Sequence, residues 1–379
     1  MKRPVIGTMQ HQMQGYDAFI PGSFPPHGGF LLSAKIIQKA SMATLLLGKL
    51  DGITQLLPDL DFFLFMYVRK DAASSSQIEG TKATMIDAIE AESKTSEKLP
   101  EDVDDILHYI HALNYGLKRL KDFPLSLRFI REIHKELMKG ARSSHFSDPG
   151  NFRKSQNWIG GTLPSNAHFV PPPPHEMEHA LGDLERFLHT NDDLLPIVKA
   201  GIIHVHFETL HPFLDGNGRT GRIFITLFLW IQHLLENPVL FLSTYFKKHQ
   251  RVYYDRLDGY RFGNVEEWLD FFLDGVIEVA EEAIKIVKSI TVLREHDSKK
   301  IQSLGKTSAE SSMTVLLQLF KLPIINVSTI QKWTKFTRQG AQKVIDRFVE
   351  LGILVQKDEN KDYGRSFIYR RYVDIFNKS

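Results

Sequence analysis

Apolar positions along this chain recur mostly three and four residues apart, a spacing that predicts helices over most of its length. From residue 30 to about 91 the stripe passes through Ile36, Ala40, Leu45, Leu46 and Leu50, with Ser74, Ser75 and Ser76 read as a break. Helical spacing resumes over 105–120, 126–138, 176–190, 195–210, 221–235 and 265–293. Two stretches depart from it. Residues 1–28, rich in Gly, Pro, Gln and Met, read as an extended arm. Residues 150–174 set Trp158, Ile159, Phe169 and Val170 around Gly160-Gly161 and Pro164-Ser165-Asn166, then end in four consecutive prolines from Pro171. That pattern predicts a short β-hairpin closed by a polyproline stop.

The last part has its own pattern. Residues 296–312 are polar and read as a linker. Helices are expected over 313–320, 327–336 and 337–351, the third N-capped by Thr337 and ended by Gly352. Strands at 353–356 and 367–371 around the turn 357–365 then complete a winged helix-turn-helix pattern. Trp333, Phe336, Val344, Ile345 and Phe348 are expected to form its core. The expected division is 1–96, an N-terminal helical region; 97–295, a central core; 296–312, the linker; and 313–379, the winged helix domain.

Composition narrows the function classes. The 379 residues include 42% hydrophobic and 24% charged residues, ordinary for a globular chain, and the net charge is +2. No strong field draws the whole chain to nucleic acid or membrane. The apolar run 223–235 is interrupted by Gln232 and His233 and is too short to span a bilayer. Cysteine is absent, which excludes disulfides, thiol nucleophiles and Cys-ligated metal sites and fits a reducing cytoplasm. With no apolar h-region near Met1, no signal peptide is expected, and a cytoplasmic location is the reading.

The chemistry concentrates in His211-Pro212-Phe213-Leu214-Asp215-Gly216-Asn217-Gly218-Arg219-Thr220-Gly221-Arg222, a loop between two apolar helical patterns. Gly216 and Gly218 let the backbone turn its N–H groups toward a ligand at a helix N-terminus, an arrangement that favours phosphate. Arg219 and Arg222, three apart, reach the same polyphosphate. Asp215 is a hard oxygen ligand of the kind Mg²⁺ combines with phosphate oxygens and water. His211 is suited to take the proton of an attacking hydroxyl. Piece by piece these residues also suit a plain glycine-rich turn; together they point to phosphoryl or nucleotidyl transfer.

This run resembles the signature of Fic domain proteins, His-x-Phe-x-Asp/Glu-Gly-Asn-Gly-Arg-x-x-Arg, at every specified position, and the resemblance extends over about 107–279. It implies a mainly α fold, a Fic-type helical core with a β-hairpin flap. It also implies a protein adenylyltransferase that moves AMP from ATP to a Tyr, Ser or Thr hydroxyl of a target protein. In that reading His211 is the base and Asp215 holds Mg²⁺, or Mn²⁺ in its place. Gly216, Asn217 and Gly218 cradle the phosphates, and Arg219 and Arg222 position their outer groups. Tyr253 and Tyr254 fall where the family often lines the adenine pocket; tyrosines on a helix also serve as simple core packing. The hairpin 155–170 corresponds to the flap, an edge for an extended target segment.

Upstream, Ser75-Ser76-Gln77-Ile78-Glu79-Gly80 resembles the family's inhibitory motif Ser/Thr-x-x-x-Glu-Gly/Asn. The resemblance implies that Ser75, Glu79 and Gly80 place a carboxylate on Arg222 in competition with a phosphate. Self-modification and a homodimer controlling that segment are further expectations. Alternatives stay open: removal of AMP at the same site, transfer of UMP, phosphocholine or phosphate, and a mainly DNA-binding regulator. Residues 306–379 hold thirteen Lys or Arg against seven Asp or Glu, and Arg338, Gln339, Gln342 and Lys343 would face DNA. Winged helices also bind proteins, so DNA is one of two partners the pattern allows.

Overall fold

The computed structural model describes residues 4–57, 59–96, 98–140, 148–358, 361 and 363–377. In chain order its elements are strands β1 (Gly7–Gln12) and β2 (Tyr16–Pro21), then helices α1 (Ala34–Thr54), α2 (Asp61–Ile78), α3 (Met85–Ser93), α4 (Val103–Arg119) and α5 (Leu127–Met138). After one 3₁₀ turn (Pro164–Asn166) come α6 (Pro174–His189), α7 (Pro196–Leu210), α8 (Asn217–Ile231), α9 (Ser243–Lys248), α10 (Gln250–Arg261) and the long α11 (Val265–Gln302). The chain continues with α12 (Lys306–Lys321), β3 (Ile324–Asn326), α13 (Val327–Thr334), α14 (Arg338–Glu350), β4 (Val355–Gln356), β5 (Ser366–Ile368) and α15 (Arg370–Asn377). No described helix is long and apolar enough to cross a membrane.

The chain divides into two compact units. One comprises Met1–Gly48, Ser74–Gly80 and Leu107–Ala280; the other Lys49–Ala73, Thr81–Ile106 and Glu281–Ser379. In the first, α7 is the central helix, packed against α6, α8 and α10 and buried from Ile197 to Leu210. Gly201 lets α11 come close, since a Cβ there would stand 2.8 Å from Phe272, and the Trp268 indole donates to its carbonyl at 2.8 Å. Each large apolar side chain buried around α7 contributes on the order of 2 kcal/mol. This core fixes the two ends that matter: the C-terminus of α7, where His211 sits, and the N-terminus of α8.

Three expectations for this unit change. The stretch read as an extended arm is a hairpin, β1 antiparallel to β2 from Gly7↔Pro21 to Gln12↔Tyr16. Its turn ends in Gly15 at φ 82°, and Ala18 and Phe19 are buried. Ser74, Ser75 and Ser76 do not break the helix but lie inside α2, buried. Serine is tolerated there because its hydroxyl finds a partner, as Ser75 does with Arg222. The hairpin expected over 155–170 is reduced to a single bridge, Ile159 with Phe169. The Asn166 side chain takes the N–H groups of Thr162 and Leu163 at 3.0 and 2.9 Å, so the tip closes as a side-chain-braced turn rather than a ladder.

In the second unit β3, β5 and β4 form an antiparallel sheet in that order, β3 lying between α12 and α13 in the chain and β4 and β5 following α14. Thr337 caps α14 by accepting from the Gly340 N–H at 3.2 Å, and Gly352 takes φ 64° after its end. The stretch expected as a linker, 296–312, is helical on both sides of 303–305. Its polarity misled because Asp297 is fully buried, accepting from the Tyr369 hydroxyl at 2.6 Å and from Arg371 at 2.8 Å. The second expected strand is shorter than 367–371, since Arg370 opens α15. Phe336, expected in the core, is 38% exposed. In the turn 357–365, residues 359, 360 and 362 lie outside the described residues.

Candidate active site

The motif loop is built by short-range bonds that the sequence dictates. His211 closes α7 in the left-handed region (φ 48°, ψ 60°), its N–H donating to Phe207, and Gly216 opens α8 at φ 77°. Between them Asn217 acts as a staple: its side chain accepts from the Phe213 N–H and donates to the Phe213 carbonyl, both at 2.8 Å. The Asn217 side chain therefore braces the loop, and a phosphate would meet only its backbone N–H. Gly216 makes no side-chain cap, which leaves the first-turn N–H groups of α8 for an anion. A Cβ at Gly216 would approach Met138 Sδ to 2.7 Å, so this position needs glycine for space as well as for its φ.

The structure brings both arginines and the upstream segment to that helix end. Arg222, 3% exposed, donates to Ser75 Oγ at 2.8 Å, to the Ser75 carbonyl at 2.9 Å and to Glu79 at 2.7 Å. Burial disfavours its charge, but Glu79, Tyr253 and Glu208 outweigh this, and its pKa rises further. The Glu79 carboxylate also lies against the backbone of α8: a Cβ on Gly218 would fall 2.2 Å from Glu79 Oε1. Gly80 follows at φ 96°, letting the chain turn away. Arg219 is buried, with Asp215 at 4.0 Å.

Asp215 is half-exposed and caps its own loop, accepting from the Gly216 N–H at 2.6 Å. Among the described residues no three His, Cys, Asp or Glu side chains gather as a metal cage. A single half-exposed carboxylate beside an anion site fits Mg²⁺, which takes its other oxygens from phosphates and water. It does not fit a zinc site.

His211 is half-buried, and burial together with the Arg153 and Arg261 charges lowers its pKa from 6.5 to about 3, against the pull of the Glu208 carbonyl and Asp215. It is therefore a neutral imidazole near pH 7, the form that accepts a proton.

Two family models match the chain: Fic/DOC family over residues 124–229 and Fic/DOC family N-terminal over 37–118. The chain carries a Fic domain. A probable protein adenylyltransferase of Aquifex aeolicus is 27% identical over 82% of both chains. A protein adenylyltransferase Fic of Aedes aegypti is 30% identical over 45% of this chain, which spans only 31% of that relative's length. The solved Fic family protein of Desulfovibrio desulfuricans has the same fold, with a TM-score of 0.57 at 18% identity, covering 90% of this chain and 97% of that one.

The structure separates the two tyrosines. Tyr253 is 1% exposed, bonds His204 at 2.9 Å and stacks on Phe246 at 4.5 Å, a core position. Tyr254 is 43% exposed, and its ring lies 5.5 Å from that of Tyr253. Other residues around the Fic motif were not singled out from sequence. His134 accepts from the Gly150 N–H at its Nδ1 (2.9 Å), so its Nε2 carries the proton given to the Asp215 carbonyl at 2.9 Å, and its ring stacks on Phe213 at 3.7 Å. Arg153 is buried and donates to the carbonyls of His211 and Pro172, at 2.9 and 2.5 Å. Glu208 lies buried at the foot of α7. In sequence these read as ordinary helix or loop residues; only burial of a charge among apolar neighbours would have marked them.

Proposed function

We infer that this Fic-domain protein transfers AMP from ATP to a Tyr, Ser or Thr hydroxyl of a protein, and that Glu79 restrains it. The observation that carries the reading is Arg222, buried at the N-terminus of α8 and bound by Ser75 and Glu79. A guanidinium there suits a terminal phosphate, and a carboxylate on it would compete for the same donors.

In the reaction the acceptor oxygen attacks the α-phosphorus while neutral His211 takes its proton. The new oxygen–phosphorus bond forms as the bond to the β-phosphate bridge breaks, and pyrophosphate leaves. First-turn N–H groups of α8, from Asn217 and Gly218, with Arg219 and Arg222, bind the phosphates; Tyr254, exposed on α10, is the candidate contact for the adenine ring. Asp215 would hold Mg²⁺ or Mn²⁺, which supplies charge neutralisation on the phosphates when bound. In the second unit, the order of α12, β3, α13, α14, β4 and β5 supports the winged helix reading. Arg338, Gln339 and Lys343 stand exposed on α14 as its contact face for DNA or protein.

The test incubates wild type, Glu79→Gly and Glu79→Gly/His211→Ala with Mg²⁺ and α-labelled ATP. Label on protein should rise in the single variant and vanish in the double. Absence of label in Glu79→Gly, alone and with a cell lysate, would overturn the reading.

A further inference from the structure

The loop over 155–170 is fixed from several directions. At its base, Gln156 donates to the Pro171 carbonyl at 2.8 Å, and Asn157 donates to the carbonyls of Phe213 and His211 at 2.9 and 3.3 Å. Its return segment is closed by β2, through the Phe19 N–H to the Val170 carbonyl at 2.9 Å and a Phe19–Phe169 ring contact at 5.9 Å. The third hold comes from the last turn of α10. There Asp258 takes His168 Nε2 at 2.6 Å and also pairs with Arg261. The Arg261 guanidinium lies over the Phe169 ring, 3.4 Å from its centroid.

Arg261 is only 6% exposed, and its Nε has no hydrogen-bond partner among the described residues. A guanidinium buried this way is costly. What it gains is a planar stack on one aromatic ring of the loop, together with a carboxylate that grips the preceding residue. The outgoing side is different. The Ile159 N–H and carbonyl both face the return segment, bonding Phe169 and His168 at 2.8 and 2.9 Å. Beyond that bridge the chain turns at once, Gly160 and Gly161 taking φ 69° and 70°, so among the described residues Ile159 alone of this side is bridged to the return segment. Trp158 is 37% exposed and Leu163 is 57% exposed.

We propose that Asp258 and Arg261 are positioning residues for the protein acceptor: by pinning His168 and Phe169 they hold the outer edge at 158–160 at a fixed height over the motif, where an extended acceptor segment pairs with it. This rests on the AMP-transfer reading for the identity of the acceptor. The same helix carries Tyr254 at its other end, so one rigid element references both the nucleotide and the acceptor.

The experiment uses the full chain with Glu79→Gly as parent, and adds Asp258→Asn, Arg261→Met or, as a control on the same helix, Arg256→Met. Arg256 pairs with Glu267 on the surface. Three readouts are taken: amide hydrogen exchange over 156–170, affinity for Mg²⁺–ATP by equilibrium dialysis, and self-labelling from α-labelled ATP. Exchange should rise about tenfold or more in both clamp variants and stay unchanged in the control. Self-labelling should fall about tenfold while ATP affinity stays within about twofold, since the acceptor rather than the nucleotide is mispositioned. Unchanged exchange in both clamp variants, or ATP affinity falling in step with labelling, would overturn the proposal. Should the parent itself fail to label, the AMP-transfer reading falls, while hydrogen exchange still decides whether the clamp exists.

Discussion

Replacing Glu208 with glutamine should stabilise the protein, and by an amount that depends on pH. Glu208 sits on α7 with 6% exposure, and its Oε1 has no hydrogen-bond partner among the described residues. Burial raises its pKa from 4.5 to about 7, although Arg222 pulls it down; Glu79 pushes it up and Arg261 down. Between those two values the folded protein holds a proton that the unfolded chain has released. Stability therefore falls as pH rises from about 4.5 to 7, and above that the ionised carboxylate destabilises the fold. The gap between the two values amounts to about 3 kcal/mol at about 1.4 kcal/mol per pKa unit. Glutamine keeps the shape without the titration. Glu208→Gln and wild type should match near pH 4.5, differ by about 2 kcal/mol at pH 6 and by about 3 kcal/mol at pH 8. Urea unfolding followed by tryptophan fluorescence at those pH values measures this, since Trp158, Trp230 and Trp268 belong to the unit that contains Glu208. A difference that stays constant with pH would refute the reasoning. So would wild type gaining on the variant as pH rises, which would mean that ionised Glu208 is a net partner of Arg222.

Asn217→Ala removes both bonds to Phe213 and leaves its buried N–H unpaired, while Asn157 still holds its carbonyl, so unfolding free energy should drop by about 1–3 kcal/mol; a drop of less than a quarter of that in urea unfolding would contradict the staple. In the Glu79→Gly background, kcat/KM for labelling should stay flat from pH ~8 down to ~5, because the His211 pKa in the free protein lies near 3 and the base is already neutral there; a fall with midpoint near the ordinary histidine value would show that the base is not held neutral.

The motif was legible because its residue types and spacing are both unusual: a histidine, a carboxylate, three glycines and two arginines within twelve positions. Its supports were not, because each is a common residue made special only by where the fold carries it. His134 looks in sequence like one more polar residue on a helix, yet in the fold it bonds the Asp215 carbonyl. Arg153 lies in a loop of irregular sequence, where no periodicity points inward, but its guanidinium fans across carbonyls from both the motif and the polyproline stretch. The serine run failed in the opposite direction. Three adjacent serines predict a break from propensity alone, but tertiary partners override propensity, and the hydroxyl and carbonyl of Ser75 go to an arginine 147 residues away. Residues 296–312 failed for a related reason, since the buried Asp297 is neutralised by Arg371 and Tyr369 from the other end of its unit.

Ser75 and Glu79 hold Arg222 in different ways, and the proposed control depends on that difference. Ser75 gives the guanidinium two contacts, one from a hydroxyl and one from a carbonyl inside α2, and is fully buried. Glu79 gives one contact, from a side chain that is 38% exposed at the very end of the helix. Loss of Glu79 would leave Arg222 still aimed by Ser75, so removing the carboxylate opens the phosphate position without dismantling it. A charge-assisted bond of that exposure is worth about 1–2 kcal/mol, an amount that a phosphate, a bound partner or a modest shift of the helix end can match. In the proposed control Glu79 is then the reversible occupant and Ser75 the fixed support. Arg222→Lys should therefore not preserve either state, since an ammonium cannot take both Ser75 contacts and a carboxylate or phosphate in the planar arrangement seen here.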